Sequence, residues 1–323
     1  MVSVFPRPQS TAWILALRPP KAAALDPRKP RSFFLEEELA QNGRAAQCGV
    51  ILLTNKECPW RCVMCDLWKN TTSRTVPLGA IPHQIEFALR TWRQAGCVIE
   101  HVKLYNSGSF FDAAAIPPSD YSAIARKISF AQHVVVESHP RLVGARVLRL
   151  RDLLQGSLEV AMGLETAHPD LLRRLNKRFE LTHFVQAADF LRREQIAVRA
   201  FVLVNPPFMS QAEGAEWVVK SADFAFCCGA SVVSLIPTRS GNGAMDQLLQ
   251  QGQFSPPTLS TLEKALELTL DLPRRGRVFA DTWDLGQFSA CSACLERRQE
   301  RLRLMNRLQQ LLPAVGCQAC GGA

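Results

Sequence analysis

The chain has 323 residues, 47% of them hydrophobic and 21% charged, which is an ordinary composition for a globular protein with a large core. No apolar run approaches the roughly 18–20 residues that cross a bilayer, and residues 12–17 are too short for a signal-peptide core, so we exclude membrane-bound and secreted proteins and expect a cytoplasmic one. The formal net charge of +9 fits a nucleic-acid partner about as well as a solvated basic surface.

Residues 1–46 form a basic extension that is rich in proline, arginine and alanine. We expect this extension to be irregular, with room for one short helix. A transit peptide would have the same basic character, but so would an arm that touches a polyanion. We favour the arm, or plain disorder.

Short apolar runs alternate with helical segments through the core region, residues 47–281. The predicted strands are 50–53, 102–105, 134–137, 158–164, 197–203 and 232–236. The predicted helices include 81–95, 119–131, 170–176, 183–194, 212–226 and 259–270. This alternation predicts βαβ units and a parallel sheet, and six units fit a partial (β/α)6 TIM-like barrel. In such barrels the chemistry takes place at the carboxyl ends of the strands.

The first cysteine cluster follows the first predicted strand, where Cys58, Cys62 and Cys65 have the spacing C-x3-C-x2-C. Structural zinc usually has four ligands, and an iron–sulfur cubane bound by only three cysteines leaves one iron open to an external ligand. Three cysteines therefore favour an iron–sulfur cubane with one open iron. Two alternatives to this cubane stay open: a zinc site, or an ordinary four-cysteine cluster completed by Cys48 or Cys97.

Polar residues follow the other strands at the same predicted edge. Ser107, Gly108 and Ser109 form a tight turn after the second strand, where small residues let the backbone approach a ligand. Glu137 and Glu165 come at the next two strand ends, and each could hold a ligand hydroxyl or ammonium group, or pair with a nearby arginine. Arg199 lies within the apolar fifth strand, so we expect either an ion pair in the barrel or contact with a bound carboxylate.

The predicted tail, residues 282–323, carries the pairs Cys291–Cys294 and Cys317–Cys320, each with CxxC spacing. This is a four-cysteine metal pattern, near that of zinc ribbons. Zinc is the first choice, and an auxiliary iron–sulfur cluster is the alternative. A basic helix, predicted over 295–312, lies between the two pairs, and its arginines could contact phosphates or simply face solvent.

Several segments together resemble the radical SAM superfamily, in the branch of the Elongator catalytic subunit and the tRNA methylthiotransferases. They are similar above all to the radical SAM subunit of archaeosine synthase and its bacterial relatives. The resembling segments are 57–66, 106–110, 137–141, 163–166, 175–177 and 202–208. The resemblance implies a [4Fe–4S] cluster on Cys58, Cys62 and Cys65 that binds S-adenosylmethionine (SAM) and cleaves it to a 5′-deoxyadenosyl radical.

The same resemblance implies roles for single residues. Met64 would pack near the SAM adenine, the turn at 107–109 would hold the SAM amino group, and Arg199 would bind the SAM carboxylate if it is not in an ion pair. Glu137 and Glu165 would contact the cofactor. No catalytic residue can be assigned.

The resemblance further implies C–N cleavage on a modified 7-deazaguanine base in tRNA, with electrons from a reductase such as flavodoxin or ferredoxin. A further protein could prepare the substrate. Two alternative functions stay open: a radical SAM enzyme that acts on a small molecule or peptide, and a non-catalytic zinc-ribbon protein that binds nucleic acid.

Overall fold

A curled sheet of eight strands, arranged in chain order, forms the centre of the computed structural model, which describes residues 9–21, 25–273 and 276–321. The first strand is antiparallel to the second, and all later neighbours are parallel. The strands are β1 (Ser32–Leu39), β2 (Ala45–Leu53), β3 (His101–Asn106), β4 (His133–Ser138), β5 (Ser157–Glu165), β6 (Ala197–Val204), β7 (Val232–Pro237) and β8 (Arg277–Ala280).

Ten α-helices accompany these strands in the described ranges. They are α1 (Thr11–Ala16), α2 (Ala80–Gln94), α3 (Tyr121–Lys127), α4 (Ala145–Arg151), α5 (Pro169–Arg174), α6 (Leu181–Arg193), α7 (Gln211–Cys227), α8 (Ala244–Gln250), α9 (Leu259–Leu270) and α10 (Ser292–Leu308). Helix α7 begins where it does because the Ser210 hydroxyl accepts from the Glu213 N–H while the Glu213 carboxylate accepts from the Ser210 N–H. None of the described helices is both long and apolar enough to span a bilayer.

The main core lies between the outer face of the sheet and these helices, and it is built from valine, isoleucine and leucine on strands that are buried on that face. Close packing explains one glycine in β2. A methyl group at Gly49 would lie 2.8 Å from the Trp92 ring of α2, so only glycine lets that helix approach. Trp92 also meets Phe33 of β1 edge to face at 5.5 Å.

Buried charges on the inner face show how strongly the sheet curls. Arg199 of β6 binds Glu159 on the neighbouring β5, and its Nη2 also lies 2.6 Å from Oε1 of Glu38 on β1, across the sheet. Lys103 of β3 binds Glu36 and Glu38 of the same β1. Burial works to raise the pKa of Glu38, but the two cations outweigh it and hold that pKa below its usual range. These ion pairs therefore join β1 to β3 and β6 across the concave face of the sheet.

The predicted fold class is confirmed: all six predicted strands occur as β2–β7, in a partial barrel with a four-cysteine group near the C-terminus. The extension is more ordered than we expected, because β1 pairs with β2 along its whole length, whereas the short helix α1 agrees with the prediction. Strand β8 adds a further parallel neighbour to β7. The boundaries at residues 46 and 281 stay predictions.

Candidate functional site

The three cysteines of the first cluster lie on the loop after β2, at the carboxyl edge of the sheet, and all three are free thiols. Burial raises the pKa of Cys58 to about 12, that of Cys62 to about 11 and that of Cys65 to about 12. These thiols are therefore protonated at neutral pH, and a metal group that binds them as thiolates must release their protons.

Hydrogen bonds from two other loops hold this cysteine loop in place. The Val63 N–H donates to the Leu175 carbonyl at 2.9 Å, and the Asn176 amide donates to the Arg61 carbonyl at 2.6 Å. The Asn242 amide donates to the carbonyls of Val63, at 2.8 Å, and of the last cysteine, at 3.1 Å. Residues that follow β5 and β7 thus fix the loop after β2.

An aromatic stack adds a contact with the end of β4. The Trp60 ring, between the first two cysteines, lies parallel to the His139 ring with the centroids 3.8 Å apart. His139 Nε2 is 3.0 Å from the Lys177 carbonyl oxygen. Burial, helped by the charge of Lys177, lowers the pKa of His139 to about 3, so this imidazole is neutral at physiological pH.

A cavity of about 1130 Å³ opens inside the curve of the sheet, beside the cysteine loop. Its wall includes the aromatic rings of Tyr105 and Phe201, the side chain of Ile236 and the carboxyl group of Glu137. Trp283, from the chain after β8, lies at its rim and is half exposed. Most of the residues that line this cavity are polar or charged, and the apolar side chains lie among them.

The turn after β3 packs against the first cysteine, as the carboxyl-edge argument predicts. A methyl group at Gly108 would lie 3.0 Å from the Cβ of Cys58, so glycine is needed for this approach. Ser107 lines the cavity. Ser109 is buried with its hydroxyl 3.1 Å from that of Ser138, so it is engaged within the protein.

Two polar groups at the ends of β3 and β4 are poised for a ligand. Burial raises the pKa of Glu137 to about 8, although the backbone N–H groups of Asn106 and Gly108 work against this shift. Both amide atoms of the Asn106 side chain are buried without a hydrogen-bond partner in the described chain. Unsatisfied buried amides are rare, so Asn106 is a candidate for ligand contact that the sequence analysis did not assign.

Glu165 is in a buried ion pair with a lysine, whereas we had considered an arginine. Its Oε1 lies 2.7 Å from Lys177 Nζ, and a methyl group at Gly163 would lie only 2.4 Å from that oxygen. Burial works to lower the pKa of Lys177, but Glu165 and the Cys62 thiol outweigh it and raise that pKa above its usual value. A cation beside the thiols would stabilise their thiolate form. The sequence analysis did not assign Lys177 to the site.

The remaining predicted cofactor contacts are engaged elsewhere in this structure. Arg199 lines the cavity, but its guanidinium is bound to Glu159 and Glu38, in agreement with the ion-pair alternative. Met64 packs against apolar clusters that include Ile14 and Leu203. Their SAM contacts, and that of Glu165, stay predictions.

The four cysteines of the tail converge on one point at the start of α10. The Sγ atoms of Cys291 and Cys317 are 3.9 Å apart, as are those of Cys294 and Cys320, and all four lie within 4.8 Å of one another. A disulfide would require about 2.05 Å. Four sulfurs around a single tetrahedral ion, at about 2.3 Å each, would lie roughly 3.8 Å apart, which matches the observed spacing.

No family model matches the chain. An uncharacterized protein of Methanocaldococcus jannaschii is 21% identical over 92% of this chain and 87% of its own length. Archaeosine synthase subunit beta of Methanosarcina acetivorans is 27% identical over 70% of this chain and 67% of its own length. Among solved structures, an N-terminally truncated Elp3 of Methanocaldococcus infernus superposes with a TM-score of 0.56 at 12% identity, covering 80% of this chain and 63% of that one.

The fold is that of the radical SAM enzymes. These likenesses confirm the predicted resemblance. The donor set fits a [4Fe–4S] cluster, because three free thiols share one fixed loop and Lys177 supplies a buried positive charge beside Cys62.

Proposed function

We propose that this chain is a radical SAM enzyme that binds a [4Fe–4S] cluster through Cys58, Cys62 and Cys65. One observation carries the proposal: three cysteines, and not four, lie on a fixed loop at the carboxyl edge of a parallel half-barrel, beside a cavity of about 1130 Å³. When bound, the cluster would supply the electron that breaks the S–C5′ bond of SAM and yields a 5′-deoxyadenosyl radical.

The protein would hold the cluster and SAM and enclose them. Lys177 lies close enough to Cys62 to offset the negative charge that accumulates on the thiolates. Ser107, Asn106 and Glu137 offer hydrogen-bonding groups to SAM at the ends of β3 and β4. The walls of the cavity would exclude water and position the substrate, which is the protein's usual share in cofactor chemistry.

We further propose a base of tRNA as the substrate. Two kinds of support exist: a relative at 27% identity is named as a subunit of archaeosine synthase, and four arginines stand at the cavity rim, three of them paired with neighbouring carboxylates. Arginines around that rim could bind phosphates, and the half-exposed Trp283 could stack on a base. The rim arginines are Arg31, Arg239, Arg303 and Arg307.

A C–N cleavage on a 7-deazaguanine base belongs to the same proposal. It requires an electron donor such as flavodoxin or ferredoxin and could require a protein that prepares the base. We also propose a cytoplasmic location, because cysteines stay reduced there.

For the tail we propose a structural Zn²⁺ ion. The supporting observation is the spacing of the four sulfurs, since each cysteine of an iron–sulfur cubane binds a different iron and the sulfurs then lie farther apart than around one ion. Salt bridges from Arg298 and Arg301 to Glu263 of α9 would attach this site to the barrel.

The test is anaerobic reconstitution with iron and sulfide, followed by measurement of 5′-deoxyadenosine with and without total tRNA. We expect four irons per chain at the three-cysteine site and SAM cleavage that rises with tRNA. The Cys58→Ser, Cys62→Ser, Cys65→Ser triple variant should lose both, whereas a Cys97→Ser variant should keep them. Wild-type protein that binds no iron, or cleaves no SAM, would contradict the proposal, and cleavage unaffected by tRNA would contradict the substrate.

A further inference from the structure

The segment of residues 10–21 crosses the outer side of the cysteine loop, and we name it the clamp segment. It consists of α1 and the chain that follows. Ser10 caps the helix by accepting from the Trp13 N–H at 3.1 Å. The sequence predicted a basic arm here, yet the segment is docked on the protein.

Apolar contacts hold the middle of the clamp segment. Ile14 is only 2% exposed and belongs to one buried cluster with Val63, Met245 and Leu248. Val63 is the residue directly after Cys62, so the core of the clamp segment rests on the cysteine loop itself.

Polar contacts fix its two ends. At the start, the Thr11 hydroxyl accepts from the amide of Asn176, which also donates to a carbonyl of the cysteine loop. At the other end, Arg18 donates to Glu57, next to Cys58, at 2.6 Å, and its guanidinium lies 4.5 Å from the centre of the Trp68 ring. The clamp segment thus reaches both flanks of the loop.

Lys21 and Gly243 complete the docking. The Lys21 ammonium donates to the carbonyl and the hydroxyl of Thr71, both at 2.9 Å. A methyl group at Gly243 would lie 1.9 Å from the Leu17 carbonyl oxygen, so the clamp segment passes directly over this glycine. A side chain there would push the segment away.

We propose that the clamp segment is a positioning element of the cysteine site: it keeps the loop of Cys58, Cys62 and Cys65 in its folded conformation and covers its outer side, so that the bound group is retained. The inference rests on the proposed function only for the identity of that group. Local opening of the clamp segment would expose the thiols and open a route for loss of iron.

The first experiment measures alkylation of the cysteines in metal-free, full-length protein, with each cysteine followed by peptide mass. Ile14→Ala should make the three thiols of the loop react roughly tenfold faster, because it removes the buried anchor of the clamp segment. Leu15→Ala, on the same helix but 45% exposed, is the matched control and should leave the rates unchanged.

A second pair of variants separates steric displacement from backbone strain. Gly243→Ala has the same expected effect as Ile14→Ala, because its methyl group collides with the segment. Gly252→Ala also introduces a side chain at positive φ (+67°), but with no atom within 4 Å, and should leave the loop thiols protected. Equal rates in the two glycine variants would overturn the proposal.

Cys48 is an internal reference, since it is fully buried within β2 and outside the loop. Its alkylation should stay slow in all variants. If Cys48 becomes reactive in parallel with the loop thiols, the variants unfold the barrel and the clamp proposal fails.

In reconstituted protein, a chelator should remove iron roughly tenfold faster from Ile14→Ala than from Leu15→Ala, and equal rates would overturn the proposal. The alkylation experiment needs no cluster. Wild-type protein without iron would therefore contradict the proposed function, whereas unchanged alkylation would contradict the clamp.

Discussion

Arg199 shows how a single residue can have two plausible roles in a sequence and one clear set of contacts in the structure. Its guanidinium is 3% exposed and is bound to Glu159 on one side and Glu38 on the other. Burial works to raise the pKa of Glu159, but Arg199 outweighs it and lowers that pKa to about 2. Both carboxylates are therefore charged at neutral pH; Glu159 depends mainly on this cation, and Glu38 shares it with Lys103.

Replacing Arg199 should destabilise the protein strongly. Arg199→Met removes the arginine from the fully buried Glu159 and leaves Glu38 with Lys103 alone, and we expect the free energy of unfolding to fall by about 3–5 kcal/mol. Urea denaturation measures the change. Arg193→Met is the control, because Arg193 is 76% exposed and pairs with Asp189 at the surface, so its loss should cost under about 1 kcal/mol.

The opposite outcome would support the cofactor role of Arg199. If Arg199→Met unfolds at the same urea concentration as the wild type but no longer binds SAM, the guanidinium contacts the SAM carboxylate in the working enzyme. The ion pairs with Glu38 and Glu159 would then be the less important contacts.

At the scale of elements, local patterns predicted β2–β7, because their apolar runs are flanked by turns and helices. Strand β1 was missed, since its sequence SFFLEEEL turns two glutamates inward and only Lys103 and Arg199, far along the chain, make that burial favourable. Strand β8 has four residues, too few for a periodic signal. Helix α1 depends on the distant contacts of Ile14, which no local pattern reveals.

Helix α10 begins between the two cysteines of the first tail pair, so we expect the proposed metal to stabilise the start of this helix. In the Cys58→Ser, Cys62→Ser, Cys65→Ser variant we expect about one zinc per chain and no iron, because the sulfur spacing fits one tetrahedral ion. Elemental analysis measures both metals. Changing Cys291 and Cys294 to serine as well should remove the zinc, and iron with sulfide in the triple variant would show an auxiliary cluster.

At the scale of the whole molecule, the curl of the sheet decides which residues meet. The carboxyl-edge rule for parallel strands predicted that the cysteine loop, the turn at 107–109 and Glu137 lie along one edge, and the structure brings Gly108 against Cys58 there. Asn106 and Lys177 could not be assigned, because an unpartnered amide and a buried ammonium are recognised only from three-dimensional contacts.

The arginines at the rim of the cavity lead to a prediction about salt. If Arg303 contacts a phosphate, Arg303→Ala should weaken tRNA binding and lower the slope of log K against log salt by about one. Titrations at several salt concentrations measure the slope. Arg93→Ala is the control, since Arg93 lies on α2 and is 64% exposed. Equal slopes for wild type and Arg303→Ala would exclude that contact.

The docking of residues 10–21 also has a consequence for the order of events during synthesis. This segment is made early, yet its partners Met245 and Leu248 lie on α8, late in the chain. It cannot reach its final place until most of the barrel has emerged from the ribosome. The newly made cysteines at 58–65 therefore pass through a period without this cover, and if the proposed cluster is built on them, iron and sulfide can reach them during that period.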